Sequence, residues 1–320
     1  MEKILTLTLS PAIDKSTVVN SIVPDKKLRC TEPKYEPGGG GVNVSRAIKK
    51  LGGNSTAVYM AGGYSGKYFH DLLNAEGIDS HVVETEGQTR ENLIVLNEST
   101  NLQYRFTMPA PEIKENEWQE CLGIIERSSG VEYIVASGSL PNGVPEDFFG
   151  RLSAIAKRMN AKLIADTSAE HLRYAVNEGL FMIKPNLGEL SDLQGAAELQ
   201  GEDVLKAAKD IISKGGCEVM VISMGAAGAI LVTKDVVINS PSPFVKRRST
   251  VGAGDSMVAG MVLAFSRGLS LREVLQYGIA AGTAATMNMG TQLCQKGDVE
   301  KLFDCLKTEG IPVWGNTSST

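Results

Sequence analysis

The chain has 320 residues, with 32 Lys and Arg against 37 Asp and Glu for a formal charge of −5, which predicts one large or two modest domains. Such mild acidity excludes a general footprint for nucleic acid or an anionic membrane, because binding a phosphate backbone needs clustered cations. At 42% hydrophobic and 6% aromatic, with 34 glycines, the chain can bury a sizeable core and favours an α/β protein over an aromatic-rich sandwich.

Taken in chain order, residues 1–10 set Ile4, Leu5, Leu7 and Leu9 against Thr6 and Thr8, without the apolar run or cleavage signal of a secretory leader. Residues 16–35 and 89–108 are polar, extended segments. Within them 17–19, 92–96 and 102–107 are expected to pair antiparallel into a small sheet standing off the main body. Such a sheet would be half exposed, so it is read as a lid whose open face packs against a second subunit. Between the two lid segments, Pro37-Gly38-Gly39-Gly40-Gly41-Val42-Asn43 runs into a helix through Ser45, Arg46, Ala47, Ile48 and Leu51, which stops at Gly52-Gly53. Four glycines at a helix start let a small polar ligand touch the main chain, with the Asn43 amide beside it. The run lacks the last glycine of a dinucleotide fingerprint, and residues 61–68 miss two positions of a Walker loop.

Farther on, apolar runs at Tyr133–Ser137, Lys162–Asp166, 181–184, 219–223 and Ala229–Val232 alternate with helical patterns at 145–159 and 204–212. That rhythm implies a mainly parallel sheet with helices on both faces, a Rossmann-like α/β body. Ligands in such sheets bind at the carboxyl ends of the strands. Lys184-Pro185-Asn186-Leu187-Gly188-Glu189 places an amide and a carboxylate just past one strand, suited to waters around Mg²⁺ and equally to an ordinary helix start. Residues 223–228, with Ser223, Gly225 and Gly228, would either wrap a nucleotide or make a tight hairpin.

The strongest motif is Thr250-Val251-Gly252-Ala253-Gly254-Asp255-Ser256, followed by a helix over 257–265. Glycines at a helix start leave backbone N–H groups pointing outward under a partial positive charge. Asp255 at the same turn can take a proton from a hydroxyl while Gly252, Ala253 and Gly254 stabilise a transferred phosphoryl group; the alternative is a plain capped turn. Arg90, Arg105, Lys27 and Arg29 lie in the lid segments and would either form a pocket for a substrate phosphate or remain solvated. The three histidines lack metal spacing or a nucleophile partner, and the five scattered cysteines are read as buried free thiols in a reducing cytosol.

The order and spacing of Gly38–Asn43, Ser137-Gly138-Ser139-Leu140-Pro141, Lys184–Glu189 and Thr250–Ser256 resemble the ribokinase-like carbohydrate kinases, also called the phosphofructokinase B family. The likeness covers residues 3–306. Glu36, Gln103-Tyr104-Arg105-Phe106 and residues 6–14, 27–31 and 286–294 resemble the branch acting on fructose 6-phosphate. Relatives that use tagatose 6-phosphate or fructose 1-phosphate usually carry Lys where this chain has Gly40. The resemblance implies ATP-dependent phosphorylation of the fructose 6-phosphate 1-hydroxyl by a body of residues 1–14, 36–88 and 109–310 under a lid of 15–35 and 89–108; a cytoplasmic location is expected from the missing leader signal and membrane-length apolar run. Residues 311–320 form a tail. It also implies a homodimer joined through the lids, with neither nucleic acid nor membrane as partner.

By the same resemblance, Asp255 is the base and Gly252, Ala253 and Gly254 the anion hole. Asp14, Gly38, Gly39, Asn43 and Ser139 hold the sugar, while Lys27, Arg90 and Arg105 take the 6-phosphate. ATP falls to Lys184, Asn186, Ser223, Gly225, Gly228, Ser249 and Thr283. Asn186 and Glu189 hold Mg²⁺ through water, and a K⁺ would sit among Ser249, Val251, Asn288 and Gly290. Three positions depart from the family pattern: residues 23–26 lack an aromatic, Arg247 replaces a small hydroxyl residue, and Gln292 replaces a frequent Arg. The competing expectations are a kinase for tagatose 6-phosphate or fructose 1-phosphate and, from another class, a sugar-phosphate sensor without turnover.

Overall fold

All five residues of Ile4–Thr8 are buried although two are threonines, because this strand runs through the middle of a sheet covered on both faces. The computed structural model describes residues 4–308 except Met289, so the tail expected at 311–320 lies outside the described residues. The strands are β1 (Ile4–Thr8), β2 (Ala12–Val19), β3 (Lys34–Gly38), β4 (Thr56–Gly62), β5 (Asp79–Thr85), β6 (Arg90–Asn97), β7 (Leu102–Phe106), β8 (Tyr133–Ser137), β9 (Lys162–Asp166), β10 (Leu180–Ile183), β11 (Cys217–Ser223), β12 (Ala229–Val232) and β13 (Val237–Ser240). The helices are α1 (Gly40–Lys50), α2 (Gly63–Ala75), α3 (Glu115–Arg127), α4 (Phe148–Arg158), α5 (Ala169–Glu178), α6 (Leu187–Gln194), α7 (Glu202–Ser213), α8 (Ala253–Ser266), α9 (Leu271–Thr286) and α10 (Lys296–Thr308).

The main sheet has the order β13-β12-β11-β10-β9-β8-β1-β4-β5. It is parallel except that β12 runs against both its neighbours. Alternate residues feed two cores. Leu5, Leu7 and Ile134 pack with Phe148 and Leu152 of α4 on one face, and Ile4, Val135 and Ile164 pack with α1, α8 and α9 on the other. Helix α8 is buried along nearly its whole length, which explains why residues 257–265 carry apolar side chains all round.

A second sheet, in the order β3-β2-β6-β7, is the expected lid. Two features differ from the sequence expectation. Strands β2 and β6 pair parallel, from Ala12 with Arg90 to Val19 with Asn97, because the long connection through the body lets the chain re-enter in the same direction. The sheet also begins at Ala12 and includes β3 up to Gly38, so the glycine run starts at the end of a lid strand and continues into α1. Of the five thiols, Cys30 and Cys305 are exposed rather than buried. No helix among the described residues is long and apolar enough to cross a membrane.

The glycines at the start of α1 bring that helix onto the sheet. A Cβ on Gly41 would collide with the Leu7 carbonyl, and one on Gly40 would lie 2.6 Å from the Ser137 carbonyl carbon. The Val42 N–H donates to Thr8 Oγ1 at 2.7 Å, and Thr6 Oγ1 bonds to Ser45 Oγ at 2.8 Å. The two buried threonines of β1 thus satisfy the first turns of α1. We expect Gly41→Ala to cost about 1–3 kcal/mol through overpacking, seen as a lower urea midpoint at unchanged slope. A wild-type midpoint would contradict this packing role.

Candidate active site

Gly252 precedes α8 in the left-handed conformation (φ 70°, ψ 5°), and no side chain caps the helix. The N–H groups of the first turn therefore face outward, with the helix dipole behind them. A Cβ on Gly254 would find Lys184 Nζ 3.7 Å away, so an ammonium stands in front of this helix start. Lys184 is buried just past β10 and pairs with Asp166 Oδ1, at the end of β9, at 3.2 Å. Burial works against its charge, yet Asp166, Glu189 and Asp255 more than offset this and hold its pKa above the ordinary lysine value.

Asp255 lies in the same turn, and its Oδ2 accepts the Asn43 Nδ2–H bond at 2.9 Å. Burial, with the charges of Asp166 and Asp14, pushes its carboxyl up to about 6 against the opposing pull of Asn43 and Lys184. A carboxylate tuned towards neutrality is suited to accept a proton from an alcohol. Across from it, Asp14 Oδ1 accepts from Asn92 Nδ2 at 2.9 Å, and Gly38 has no room for a side chain beside the Asp14 carboxylate. Burial raises the Asp14 pKa despite the Asn92 bond and the nearby Arg46 and Arg90.

Arg90 donates to the Met108 and Ser10 carbonyls, each at 3.1 Å. Its Nε and the Ser10 Oγ are both buried without a partner.

A rim of turns leads away from the helix start. Asn186 bridges to Ser223, residues 224–228 turn β11 into β12 with φ 58° at Gly225 and 100° at Gly228, and Ser242 Oγ bonds to Thr283 Oγ1 at 2.9 Å. Both readings of 223–228 therefore apply, since the tight hairpin is also the rim. Asn186 and Glu189 form a reciprocal capping box on α6, which engages one Glu189 oxygen and leaves the second to accept from the water shell of a divalent cation. Ser249 Oγ donates to the Gly290 carbonyl at 2.8 Å, and Asn288 Nδ2 donates to the Leu293 carbonyl at 3.0 Å. The first bond ties the 249 and 290 loops together and the second braces the 288–293 loop, and main-chain carbonyls of this kind are ligands that fit K⁺.

A family model described as pfkB family carbohydrate kinase matches residues 5–297. The chain belongs to the pfkB family of carbohydrate kinases. It is 43% identical over 305 residues to the ATP-dependent 6-phosphofructokinase isozyme 2 of Escherichia coli K12, covering 95% of this chain and 98% of that one. It is 39% identical over 303 residues to the isozyme 2 of Mycobacterium tuberculosis, covering 94% and 89% respectively. A crystal structure of Escherichia coli phosphofructokinase-2 in complex with potassium superposes with a TM-score of 0.92 at 42% identity, covering 96% of this chain and all of that one.

In this pfkB kinase the structure brings Asp14, Gly38, Asn43, Arg90, Lys184, Gly254 and Asp255 together. Gly39 (φ 116°) packs on Thr8 and Pro11, so its first role is to turn β3 into α1. Ser139 is exposed in the loop after β8. Lys27 is exposed between β2 and β3, while Arg105 is exposed on β7 and donates from Nε to Gln103 at 3.1 Å. Sequence reasoning did not single out Asp166 as a site residue. Its signal was its place at the carboxyl end of a strand, where α/β sheets collect their chemistry.

The raised Asp255 carboxyl has a stability consequence with a definite sign. Its folded value of about 6 lies above the ordinary aspartate value of 3.8, so the folded state binds the proton more tightly. That stabilisation is complete below about pH 4 and is lost as pH rises through about 6. Asp255→Asn is therefore expected to melt higher than wild type above about pH 6, the gap closing towards pH 4. A gap independent of pH would contradict the shift.

Proposed function

We propose that the chain transfers the γ-phosphoryl group of ATP to the 1-hydroxyl of fructose 6-phosphate, giving fructose 1,6-bisphosphate and ADP. The observation that carries this reading is the pairing of a raised carboxylate, Asp255, with an uncapped helix start in one turn. Asp255 takes the hydroxyl proton as the sugar oxygen attacks the γ-phosphorus, and the bond from that phosphorus to the β–γ bridging oxygen breaks in line. The backbone of Gly252, Ala253 and Gly254 and the Lys184 ammonium stabilise charge on the transferred oxygens.

Asp14, Gly38, Gly39, Asn43 and Ser139 orient the sugar, and Arg90 takes its 6-phosphate with Lys27 and Arg105 from the lid. Asn186, Ser223, Gly225, Gly228, Ser249 and Thr283 line the nucleotide. Glu189 and Asn186 would hold the waters of Mg²⁺, which neutralises phosphate charge when bound, and the carbonyls around Ser249, Val251, Asn288 and Gly290 would hold K⁺. Closure of the lid over the site would exclude water and limit ATP hydrolysis. The lid exposes Leu102, Tyr104, Phe106 and Met108, which supports a homodimer joined through the lids; a tetrameric inhibited form is described for the Escherichia coli relative. The cytoplasm is the proposed location.

A coupled assay of ADP release tests this reading. The expected result is a higher kcat/KM for fructose 6-phosphate than for tagatose 6-phosphate or fructose 1-phosphate. The last of these is included because a 1-phosphofructokinase of Borreliella burgdorferi is also similar, at 32% identity, with 96% of this chain and 99% of that one covered. Asp255→Asn should lose roughly 10²–10⁴-fold in turnover, as for a positioned general base. Near-normal turnover in the folded variant would contradict the assignment, and tight sugar-phosphate binding without ATP consumption would favour a sensor.

A further inference from the structure

Asn43 can orient Asp255 only if its amide is held in one of two near-isosteric rotations, and the structure contains a device that selects one. Arg46 lies three residues on along α1, on the same face. Its Nη1 donates to Asn43 Oδ1 at 3.3 Å and to the Pro37 carbonyl at 2.8 Å. With the guanidinium on one side and the Asp255 carboxylate on the other, a flipped amide would set NH₂ against a cation and an oxygen against an anion.

Arg46 is only 3% exposed and is itself held. Glu76 binds its Nε at 2.9 Å and its Nη2 at 2.6 Å. Glu36 Oε1, on lid strand β3, accepts from Nη2 at 3.3 Å. The second Glu36 oxygen accepts the Thr291 hydroxyl at 2.5 Å. Burial pushes the Glu36 carboxyl up, but Thr291, Lys34 and Arg46 together bring it below the ordinary glutamate value, so it stays ionised and keeps accepting. Thr291 follows Gly290, whose carbonyl takes the Ser249 hydroxyl.

We propose that Arg46, held from behind by Glu36 and Thr291, is a positioning residue for phosphoryl transfer that fixes the rotation of the Asn43 amide against Asp255. The line Thr291, Glu36, Arg46, Asn43, Asp255 runs from the loop after α9, through the lid strand, to the proton acceptor. The proposal rests on the reading of Asp255 as the base. Arg46 itself touches neither substrate nor the reacting atoms, so its effect travels through one amide. The charged groups facing Asp255 from its other neighbours are Asp166 on β9, Lys184 after β10 and Asp14 on β2, and the substitutions below leave all three in place.

Arg46→Gln removes the guanidinium and leaves Glu76 without its partner, while Glu36 keeps Lys34 and Thr291, so its folding is not assured. Thr291→Val removes a single hydroxyl and leaves both carboxylates paired with Arg46. Both variants are compared with wild type for turnover at saturating substrates, KM for each substrate, the acid limb of the turnover–pH profile, melting temperature and the KCl requirement. Turnover should fall about 10–100-fold in Arg46→Gln and about 3–10-fold in Thr291→Val, the range expected when a supporting hydrogen bond to a reacting group is lost. In both, KM for ATP should stay within about twofold, because the nucleotide contacts are untouched. The acid limb should move to higher pH as Asp255 loses its amide donor, and Thr291→Ser should restore the wild-type profile.

A lower melting temperature with wild-type turnover and an unmoved acid limb would overturn the proposal and leave the network merely structural. A raised KCl requirement with an unmoved limb would also overturn it, assigning Thr291 to the cation loop instead. If Asp255→Asn keeps its activity, the base reading fails and takes this proposal with it. Activity lost in Asp255→Asn but intact in Thr291→Val and Arg46→Gln would defeat this proposal alone.

Discussion

A half-buried carboxylate at a helix start, with a second carboxylate and an ammonium around it, must satisfy conflicting demands, and the positions of several elements follow from them. Burial, Asp166 and Asp14 oppose the charged form of Asp255, while the Asn43 amide and Lys184 favour it, and the balance leaves the group at about 6. Lys184 in turn keeps its charge chiefly because Asp166 sits 3.2 Å away, with Glu189 and Asp255 adding to the effect, since an unpaired buried ammonium would shed its proton. The ends of β9 and β10 and the start of α8 are thus tied to one another by charge as well as by packing. Displacing any one of them changes the protonation of the others.

The glycines that surround this cluster act mainly on the protein's own backbone. Gly40 and Gly41 let α1 settle onto Ser137 and Leu7, and Gly38 makes room for the Asp14 carboxylate. The close approach carries Asn43 to within hydrogen-bond reach of a residue 212 positions away in sequence. Gly254 is different, because its open side faces Lys184 Nζ, where an anion would meet both the N–H groups and the ammonium. One set of glycines builds the site and the other opens it to ligand.

The alternation of apolar strands and helical patterns made the parallel body legible, since each element there obeys a local period. The helix start at Gly252–Asp255 and the capping box at Asn186 and Glu189 were legible for the same reason: their signals lie within a few residues. The parallel pairing of β2 with β6 was not, because strand direction in a small sheet depends on how the connecting segment crosses the body, and nothing in residues 17–19 or 92–96 encodes that. The Asp166–Lys184 pair and the line from Thr291 to Asn43 also escaped sequence reasoning, as they join residues that only the folded sheet makes neighbours. In sequence Arg46 is only one residue of the helix that follows the glycine run, and its burial against Glu36 and Glu76 is what gives it a role.

The protonation of the Asp255 side chain, on which proton transfer at this site depends, can be observed directly. Carboxyl-carbon NMR of protein carrying ¹³C-labelled aspartate, with the Asp255 resonance assigned by its loss in Asp255→Asn, would follow the group through pH. The account predicts a midpoint near the value of about 6 that burial and Asp166 impose, well separated from the exposed aspartates. A midpoint at the ordinary aspartate value near 4 would mean that Asp255 is a solvated helix cap, and would contradict the reading of this site as a tuned proton acceptor.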